Sequence, residues 1–206
     1  MDFPPFFHHQ IRLSYPTLAS TLIPQIESNF QRLLPEVAFA SNSSNPIDRR
    51  LVFCAYFLAT IQALEAHAAP YEEIRALCLR ITEAYVQPRN RLQRIFRRLP
   101  GLLLRTPLTK LLAAIMRRKT QHLAHPNGFL VQILTAPEQT NNLGYAFNIL
   151  ECGIVKLFRN HNAARYAPIL CEVDHLTSSF AGLELIRQGT IANGAPLCDF
   201  RFRILS

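Results

Sequence analysis

The chain has 206 residues, of which 49% are hydrophobic and 17% charged, and its formal net charge is +8. One domain of this length buries roughly 70% of the surface that its unfolded chain exposes, and the composition is unlike that of disordered proteins, which are polar and highly charged. No apolar run reaches the about 18 residues that identify a membrane-spanning helix. The segment 1–5 lacks the basic and apolar regions of a secretory signal, so we expect a cytoplasmic protein, with peripheral attachment to a membrane as an option.

The first two thirds of the chain predict helices. Asn45 followed by Pro46 is typical of a helix start, and Asp48 in the first turn favours the helix dipole. Pro24 is placed to open the second of two short helices between Pro16 and Pro35. The other predicted helices cover 50–68, 72–86, 89–98 and 107–118.

The last third changes character, because β-branched and aromatic residues alternate between turn residues. Its predicted strands cover 129–135, 144–150, 183–188 and 197–205, and its predicted helices cover 152–160 and 167–179. Helices followed by strands without regular alternation indicate an α+β fold with an antiparallel sheet. We therefore expect a single α+β domain over 1–206. Its helical N-terminal two thirds, mainly 1–125, would pack on a C-terminal antiparallel sheet of about four strands within 126–206.

The positive charge is concentrated in one segment. No Asp or Glu occurs between Ala84 and Pro137, and this window holds ten basic residues: Arg89, Arg91, Arg94, Arg97, Arg98, Arg105, Lys110, Arg117, Arg118 and Lys119. Arg91, Arg94 and Arg98 share one helix face at i, i+3 and i+7, and this amphipathic, basic pattern predicts that the segment Arg89–Lys119 contacts an anionic membrane surface or an acidic protein. Nucleic acid is disfavoured, because few aromatic residues are interleaved. The alternative is a solvated helix face whose arginines pair with acids such as Glu72, Glu73 and Glu83.

The five cysteines lie far apart in the sequence, without a Cys-x-x-Cys pair or a histidine at zinc-ligand spacing. In a reducing compartment we expect free thiols. A metal site of Cys152, Cys171 and Cys198 would require tertiary folding, and we predict neither a metal nor another cofactor.

A nucleophilic thiol requires a lowered pKa and a nearby acid or base. Cys152 precedes a predicted helix, whose N-terminus would lower the pKa of its thiol. Cys171 shares one helix face with Asp174 and His175, at i+3 and i+4. Cys198 and Asp199 are successive strand residues, so they face opposite sides of the sheet unless a bulge intervenes. The alternative for each cysteine is a small buried hydrophobic residue.

Several of these residues belong to a recognisable set of motifs. The set consists of Cys152-Gly-Ile-Val-Lys-Leu-Phe, Leu170-Cys-Glu-Val-Asp, Leu185-Ile-Arg-Gln-Gly-Thr-Ile-Ala-Asn-Gly and Cys198-Asp-Phe-Arg-Phe. On these motifs the C-terminal third, roughly 144–202, resembles the L-2-amino-thiazoline-4-carboxylic acid hydrolase family. The closing motif is also similar, more weakly, to the 4-vinyl reductase type of small-molecule-binding domain.

The first resemblance implies that water opens the ring of a cyclic amidine by hydrolysis of a C–N bond. The namesake substrate is a thiazoline that carries a carboxylate, and a different ring is an alternative. A cysteine could add to the amidine carbon, or a carboxylate could direct water onto it. An arginine could bind the substrate carboxylate. The candidate catalytic residues are Cys152, Cys171, Asp174, Cys198 and Asp199, and the candidate substrate-binding residues are Thr190, Arg187, Arg201 and His175.

Two functions therefore compete. A hydrolase predicts a cavity between sheet and helices that contains at least two of Cys152, Cys171 and Cys198. A non-catalytic binding module with a basic docking segment predicts a large apolar cavity, inert cysteines and a purely structural Asp174.

Overall fold

The structure is a computed structural model that describes residues 3–88, 90–93, 95, 99, 106 and 108–205. Among the elements that lie fully within these ranges, four helices come first, and a further helix precedes a sheet into which two more helices are inserted. The elements are α1 (Pro4–Ser14), α2 (Ala19–Val37), α3 (Arg50–Ala66), α4 (Tyr71–Val86), α5 (Leu108–Thr120), β1 (Leu130–Leu134), β2 (Ala146–Glu151), α6 (Gly153–Asn160), α7 (Ala167–Phe180), β3 (Leu183–Ile186) and β4 (Cys198–Ile204). One-turn 3₁₀ helices cover Ala38–Ser41, Pro137–Gln139, Ala164–Tyr166 and Ile191–Asn193. The α+β prediction is confirmed.

The sheet has the strand order β1-β2-β4-β3, and every neighbouring pair is antiparallel. Opposite residues of an antiparallel pair share one face, so Val131, Ile149 and Cys198 form one row across three strands. All three are buried, and this inner face packs on the helices. Asn148 and Asp199 form the next row and lie on the outer face. The predicted opposite orientation of Cys198 and Asp199 is therefore correct.

Two helix starts differ from the prediction. Helix α2 continues through Pro24 instead of beginning there, because its buried stripe, including Leu22, Ile26 and Leu33, keeps a helical spacing on both sides of the proline. Helix α3 begins at Arg50, as the predicted helix 50–68 does, and not at the helix start that Asn45 and Pro46 indicate. The Asn45 side chain accepts a hydrogen bond from the Ile47 N–H (3.0 Å) in a separate turn before α3.

That turn joins the helical part to the sheet. The Asp48 carboxylate accepts from the Phe129 N–H (2.8 Å), and the Asn45 amide donates to the Phe129 carbonyl (2.8 Å). Asp48 and Asn45 are both fully buried. Gly128 permits this approach, since a Cβ there would lie 2.8 Å from an Asp48 carboxylate oxygen. Asp48 therefore binds the residue before β1 rather than the α3 dipole.

Helix α5 covers the free edge of β1. The Thr120 hydroxyl donates to the Val131 carbonyl (3.2 Å), and the Arg117 guanidinium donates to the Thr135 hydroxyl (3.0 Å). Edge strands with unpaired backbone groups invite association, and such cover prevents it. Part of the basic segment thus has a structural role.

One hydrophobic core includes residues of the helices and the inner sheet face.

Candidate functional site

A polar cavity of about 550 Å³ lies between α7 and the connection from β3 to β4. Helix α7 contributes Cys171 and Glu172 and, one turn further along the same side, His175. The connection contributes the opposite wall. The remaining lining residues are Pro168, Arg187, Gln188, Gly189, Thr190, Asn193, Gly194 and Ala195.

The connection has a fixed shape because its backbone is hydrogen-bonded from both ends. The Asp199 carboxylate accepts from the Gln188 N–H (3.1 Å) and the Gly189 N–H (2.9 Å). The Thr190 hydroxyl accepts from the Asn193 N–H (3.2 Å). The short helix ends at Gly194, whose φ of +87° is a left-handed conformation. These bonds fix the shape of the loop that forms this wall of the cavity.

Asp174 lies behind the cavity wall and binds two arginines. Its Oδ1 accepts from Arg50 (2.6 Å), and its Oδ2 accepts from Arg187 (3.1 Å). The Arg187 side chain is only 4% exposed, and it also donates to the Cys171 carbonyl (2.6 Å) and lies over the Phe200 ring. Two guanidiniums share one carboxylate, so the group keeps a net positive charge next to the cavity.

The thiols around this group are protonated at neutral pH. Burial, and to a lesser degree the charge of Asp174, raise the pKa of Cys171 to about 11, although Arg187 and a hydrogen bond with the Thr190 hydroxyl act to lower it. Burial also raises the pKa of Cys54 and of Cys152 to about 12. For Cys198, burial raises the pKa and the Ile191 N–H, which donates to its sulphur (3.2 Å), lowers it. An apolar setting therefore outweighs the nearby cations.

Comparison with known families adds to this geometry. The sequence model of L-2-amino-thiazoline-4-carboxylic acid hydrolase matches residues 49–202. The chain belongs to this family. Comparisons with curated proteins and with solved structures gave no match.

The match to the hydrolase family extends further than the motifs of the C-terminal third. It begins at Arg49 and so includes α3 and α4, where no motif was recognised. The restriction of the resemblance to roughly 144–202 was too narrow. Arg50 and Cys54 both lie in the added part.

The structure brings together part of the predicted site. Cys171, His175, Arg187 and Thr190 line the polar cavity, and Asp174 touches it through Arg187. Cys198 lies behind the loop on the inner sheet face, and Cys152 is the buried residue before α6. Only one of the three late cysteines therefore lines the cavity, where the hydrolase hypothesis expected at least two. The predicted lowered pKa of Cys152 is wrong, because burial outweighs the N–H groups of Ile154 and Val155.

Asp199 and Arg201 lie on the outer face of the sheet. Asp199 binds loop backbone, as described above. Arg201 donates to the Phe147 carbonyl (3.2 Å) and to the Asn148 side chain (3.0 Å). Neither residue lines the polar cavity, so the structure gives Asp199 a positioning contact and Arg201 a contact between strands.

Arg50 is the central residue that sequence reasoning missed. It binds Asp174 from 124 positions away, a separation that no local pattern reveals. One signal was available: α3 opens on Arg49 and Arg50, with no acid in its first turn. Cations are unfavourable at a helix N-terminus, and such a local conflict often marks a functional position.

A second cavity, of about 310 Å³, lies on the other side of α7. Its walls are mainly apolar and come from α3, α4, α6 and α7. The residues that line it are Pro46, Arg49, Arg50, Phe53, Cys54, Thr82, Tyr85, Val86, Ile154, Leu170, Val173 and Thr177. Asp174 therefore bonds to one arginine from each cavity.

Other predictions concern metals, membranes and the basic segment. Within the described ranges, no three His, Cys, Asp or Glu side chains are arranged to hold a metal ion, and no helix there is long and apolar enough to cross a bilayer. The structure describes five of the ten basic residues in this segment, namely Arg91, Lys110, Arg117, Arg118 and Lys119. Half of the predicted basic segment, namely Arg89, Arg94, Arg97, Arg98 and Arg105, lies outside the described residues.

Proposed function

We propose that this protein hydrolyses a small cyclic amidine that carries a carboxylate, of the 2-amino-thiazoline-4-carboxylate type, in the polar cavity. The observation that carries the proposal is the meeting of the Cys171 thiol, the Arg187 guanidinium and His175 in one cavity of a chain that belongs to a hydrolase family. The volume of about 550 Å³ is in the range of small-molecule sites.

The charge of the site suits such a substrate. Asp174 neutralises only one of the two guanidiniums that it binds, so the cavity attracts an anion. Arg187 has N–H groups beyond those bonded to Asp174 and the Cys171 carbonyl, and these would donate to the substrate carboxylate. Glu172 does not cancel this charge, because it pairs with Arg75 (2.8 Å).

Cys171 is the nucleophile that the cavity offers. The raised pKa of its thiol means that the nucleophile becomes a thiolate only when a base arrives, and the amidine itself is that base. The sulphur forms a bond to the amidine carbon while the thiol proton passes to the ring nitrogen. The ring C–N bond then breaks: the exocyclic amino group loses a proton as its C=N bond forms, and the ring nitrogen leaves as a neutral amine.

Water completes the reaction. It adds to the same carbon, the C–S bond to Cys171 breaks, and the thiol regains a proton, so that one water is consumed and a carbamoyl-cysteine is released. His175 lies one turn beyond Cys171 on the cavity rim and is exposed. It is the group placed to move protons between the amidine nitrogens and the attacking water.

The test compares turnover of 2-amino-thiazoline-4-carboxylate by the wild type, Cys171→Ala and Cys78→Ala, with the product identified by mass. Cys78 is a matched control, since it is fully buried on α4 and lines neither cavity. We expect Cys171→Ala to lower kcat at least about a hundredfold, and Cys78→Ala to leave it within about twofold. Equal turnover by wild type and Cys171→Ala would favour carboxylate-directed water over covalent catalysis.

Binding without catalysis is the second candidate, and the raised thiol pKa values favour it. It predicts that the thiazoline binds in a calorimeter but is recovered unchanged after long incubation. Release of a carbamoyl-cysteine by the wild type would exclude it.

A further inference from the structure

The second cavity combines an apolar body with a charged end. Phe53, Val86, Ile154, Leu170 and Val173 supply aliphatic and aromatic walls. The hydroxyls of Thr82 and Thr177 are already donated to the carbonyls of Cys78 (2.9 Å) and Asp174 (3.1 Å) within their own helices. These walls therefore favour an apolar group over a polar one.

The polar end is formed by two arginines. Arg50 uses one amino group for Asp174, and 40% of its side-chain surface stays accessible. Arg49 is exposed, and its guanidinium forms no hydrogen bond or ion pair with any residue that the structure describes. No Asp or Glu is among the described residues that line this cavity.

The charges can be assigned between the two cavities. Arg49, Arg50 and Arg187 line the two cavities, and among the described residues the only carboxylate that pairs with any of them is that of Asp174, which binds Arg50 and Arg187. Two positive charges therefore remain, which is one for a ligand in each cavity. A doubly charged phosphate would leave an excess of negative charge in the apolar cavity, whereas a single carboxylate is matched.

We infer that the second cavity binds an apolar monocarboxylic acid, with its carboxylate on Arg50 and Arg49 and its hydrocarbon body between α3, α4 and α7. The volume of about 310 Å³ is ample for an aromatic ring with a short acid arm, since an apolar cavity of about 150 Å³ already holds benzene. The inference does not depend on the proposed hydrolysis.

Calorimetric titration of the full chain with phenylacetate, and with phenylacetamide as the neutral isostere, tests the charged end. We expect phenylacetate to bind at least about tenfold more tightly than the amide. Arg49→Gln should weaken phenylacetate binding severalfold, and Arg50→Gln should weaken it further. Arg80→Gln is the control, because Arg80 is a surface residue of α4 whose side chain donates to the Ser14 hydroxyl (3.1 Å) and to no other described residue.

The apolar body is tested by filling the cavity. Val173→Phe should abolish phenylacetate binding while circular dichroism and turnover in the polar cavity persist. Equal binding of acid and amide, unchanged binding by Val173→Phe, or no binding at millimolar phenylacetate would each overturn the inference. Displacement of phenylacetate by the thiazoline would contradict two separate sites, whatever the outcome of the hydrolysis assay.

A different observation supports a docking surface on α5. The helix packs on β1 through its buried side, which includes Ala113 and Thr120. Its outer side carries four leucine and isoleucine side chains that are 43–58% exposed: Leu108, Leu111, Leu112 and Ile115. Lys110, Arg118 and Lys119 flank them and form no ion pair with any residue that the structure describes.

We propose that this outer side of α5 binds an anionic lipid surface. Apolar side chains at i, i+3, i+4 and i+7 between basic residues are typical of interfacial helices, and the window 84–137 contains no acid. An acidic protein would be recognised by the charges but would not require a continuous leucine stripe. A second copy of this basic chain would bring like charges together.

Vesicle flotation tests the docking surface. The chain should float with vesicles of phosphatidylcholine mixed with phosphatidylglycerol. With vesicles of phosphatidylcholine alone, it should remain in the bottom fraction of the gradient. Both Leu111→Gln/Ile115→Gln and Lys110→Gln/Arg118→Gln should lose flotation, whereas Leu13→Gln, an exposed leucine of α1, should retain it. Binding to both vesicle types, binding to neither, or a dimer in solution that the leucine variant dissociates would overturn the proposal.

Discussion

The Asp174 carboxylate fixes Arg187 in the wall of the polar cavity, with 3.1 Å between Oδ2 and Nη1. The other carboxylate oxygen binds Arg50, which lines the apolar cavity. A single side chain of α7 thus positions the cation of each cavity.

Replacement of Asp174 by Asn should destabilise the fold. Two guanidiniums would then lie close together without a counterion, and breaking a buried pair costs several kcal/mol. Because Arg50 stays partly accessible to water, we expect the lower end, about 3 kcal/mol. Urea unfolding measures the change. Glu172→Gln, which breaks the more exposed pair with Arg75, is the control and should have a much smaller effect.

Stability should fall at alkaline pH because of the buried thiols. Burial raises the pKa of Cys54, Cys78 and Cys152 from the ordinary value of 9.0 to about 12. Unfolded thiols therefore lose protons above pH 9 that folded thiols keep, so their contribution is complete below pH 9 and is lost as the pH rises towards 12. Each thiol should lower the free energy of unfolding by about 1.4 kcal/mol per pH unit in this interval.

Urea titrations at a series of alkaline pH values measure this slope, and Cys78→Ala should reduce it by the share of one thiol. A slope that is identical in wild type and Cys78→Ala would show that the thiol keeps its ordinary pKa in the fold.

The bonds of Asn45 and Asp48 to Phe129 should contribute to stability jointly. Each side chain satisfies one backbone group of the same residue, and loss of either leaves a buried polar group without a partner, at a cost of about 1–3 kcal/mol. Asn45→Ala and Asp48→Ala should each destabilise the fold by this amount. In a double-mutant cycle, the double variant should lose less than the sum; strict additivity would show that the two bonds act independently.

Much of the fold could be predicted from local patterns. The alternation in β4 predicted the strand and the opposite faces of Cys198 and Asp199, and the spacing on α7 placed Cys171 and His175 on one side. Long-range pairing could not be predicted in this way. Arg50 meets Asp174, and Asp48 meets Phe129, across 124 and 81 positions, and these contacts depend on how the helices pack on the sheet. The burial that raises the thiol pKa values has the same origin.

Gly189 should be required for the shape of the polar cavity. A Cβ at this position would lie 2.8 Å from the Ala195 Cβ, which is closer than side chains approach, so Gly189→Ala must displace one wall. We expect a loss of turnover of at least about tenfold. Ala195→Gly in the same chain removes the clash and should restore most of the activity. Failure of this second change to rescue Gly189→Ala would show that the close approach to Ala195 is not the reason why glycine is required here.

Protection of Cys171 from iodoacetamide tests the location of the substrate most directly. The labelling rate of each cysteine is measured by peptide mass spectrometry at mildly alkaline pH, with and without the thiazoline carboxylate. Cys54, in the wall of the apolar cavity, is the internal reference. Our account predicts that the thiazoline slows labelling of Cys171 and leaves the rate at Cys54 unchanged. Labelling of Cys171 at the same rate in saturating thiazoline would contradict a substrate site between α7 and the β3–β4 connection.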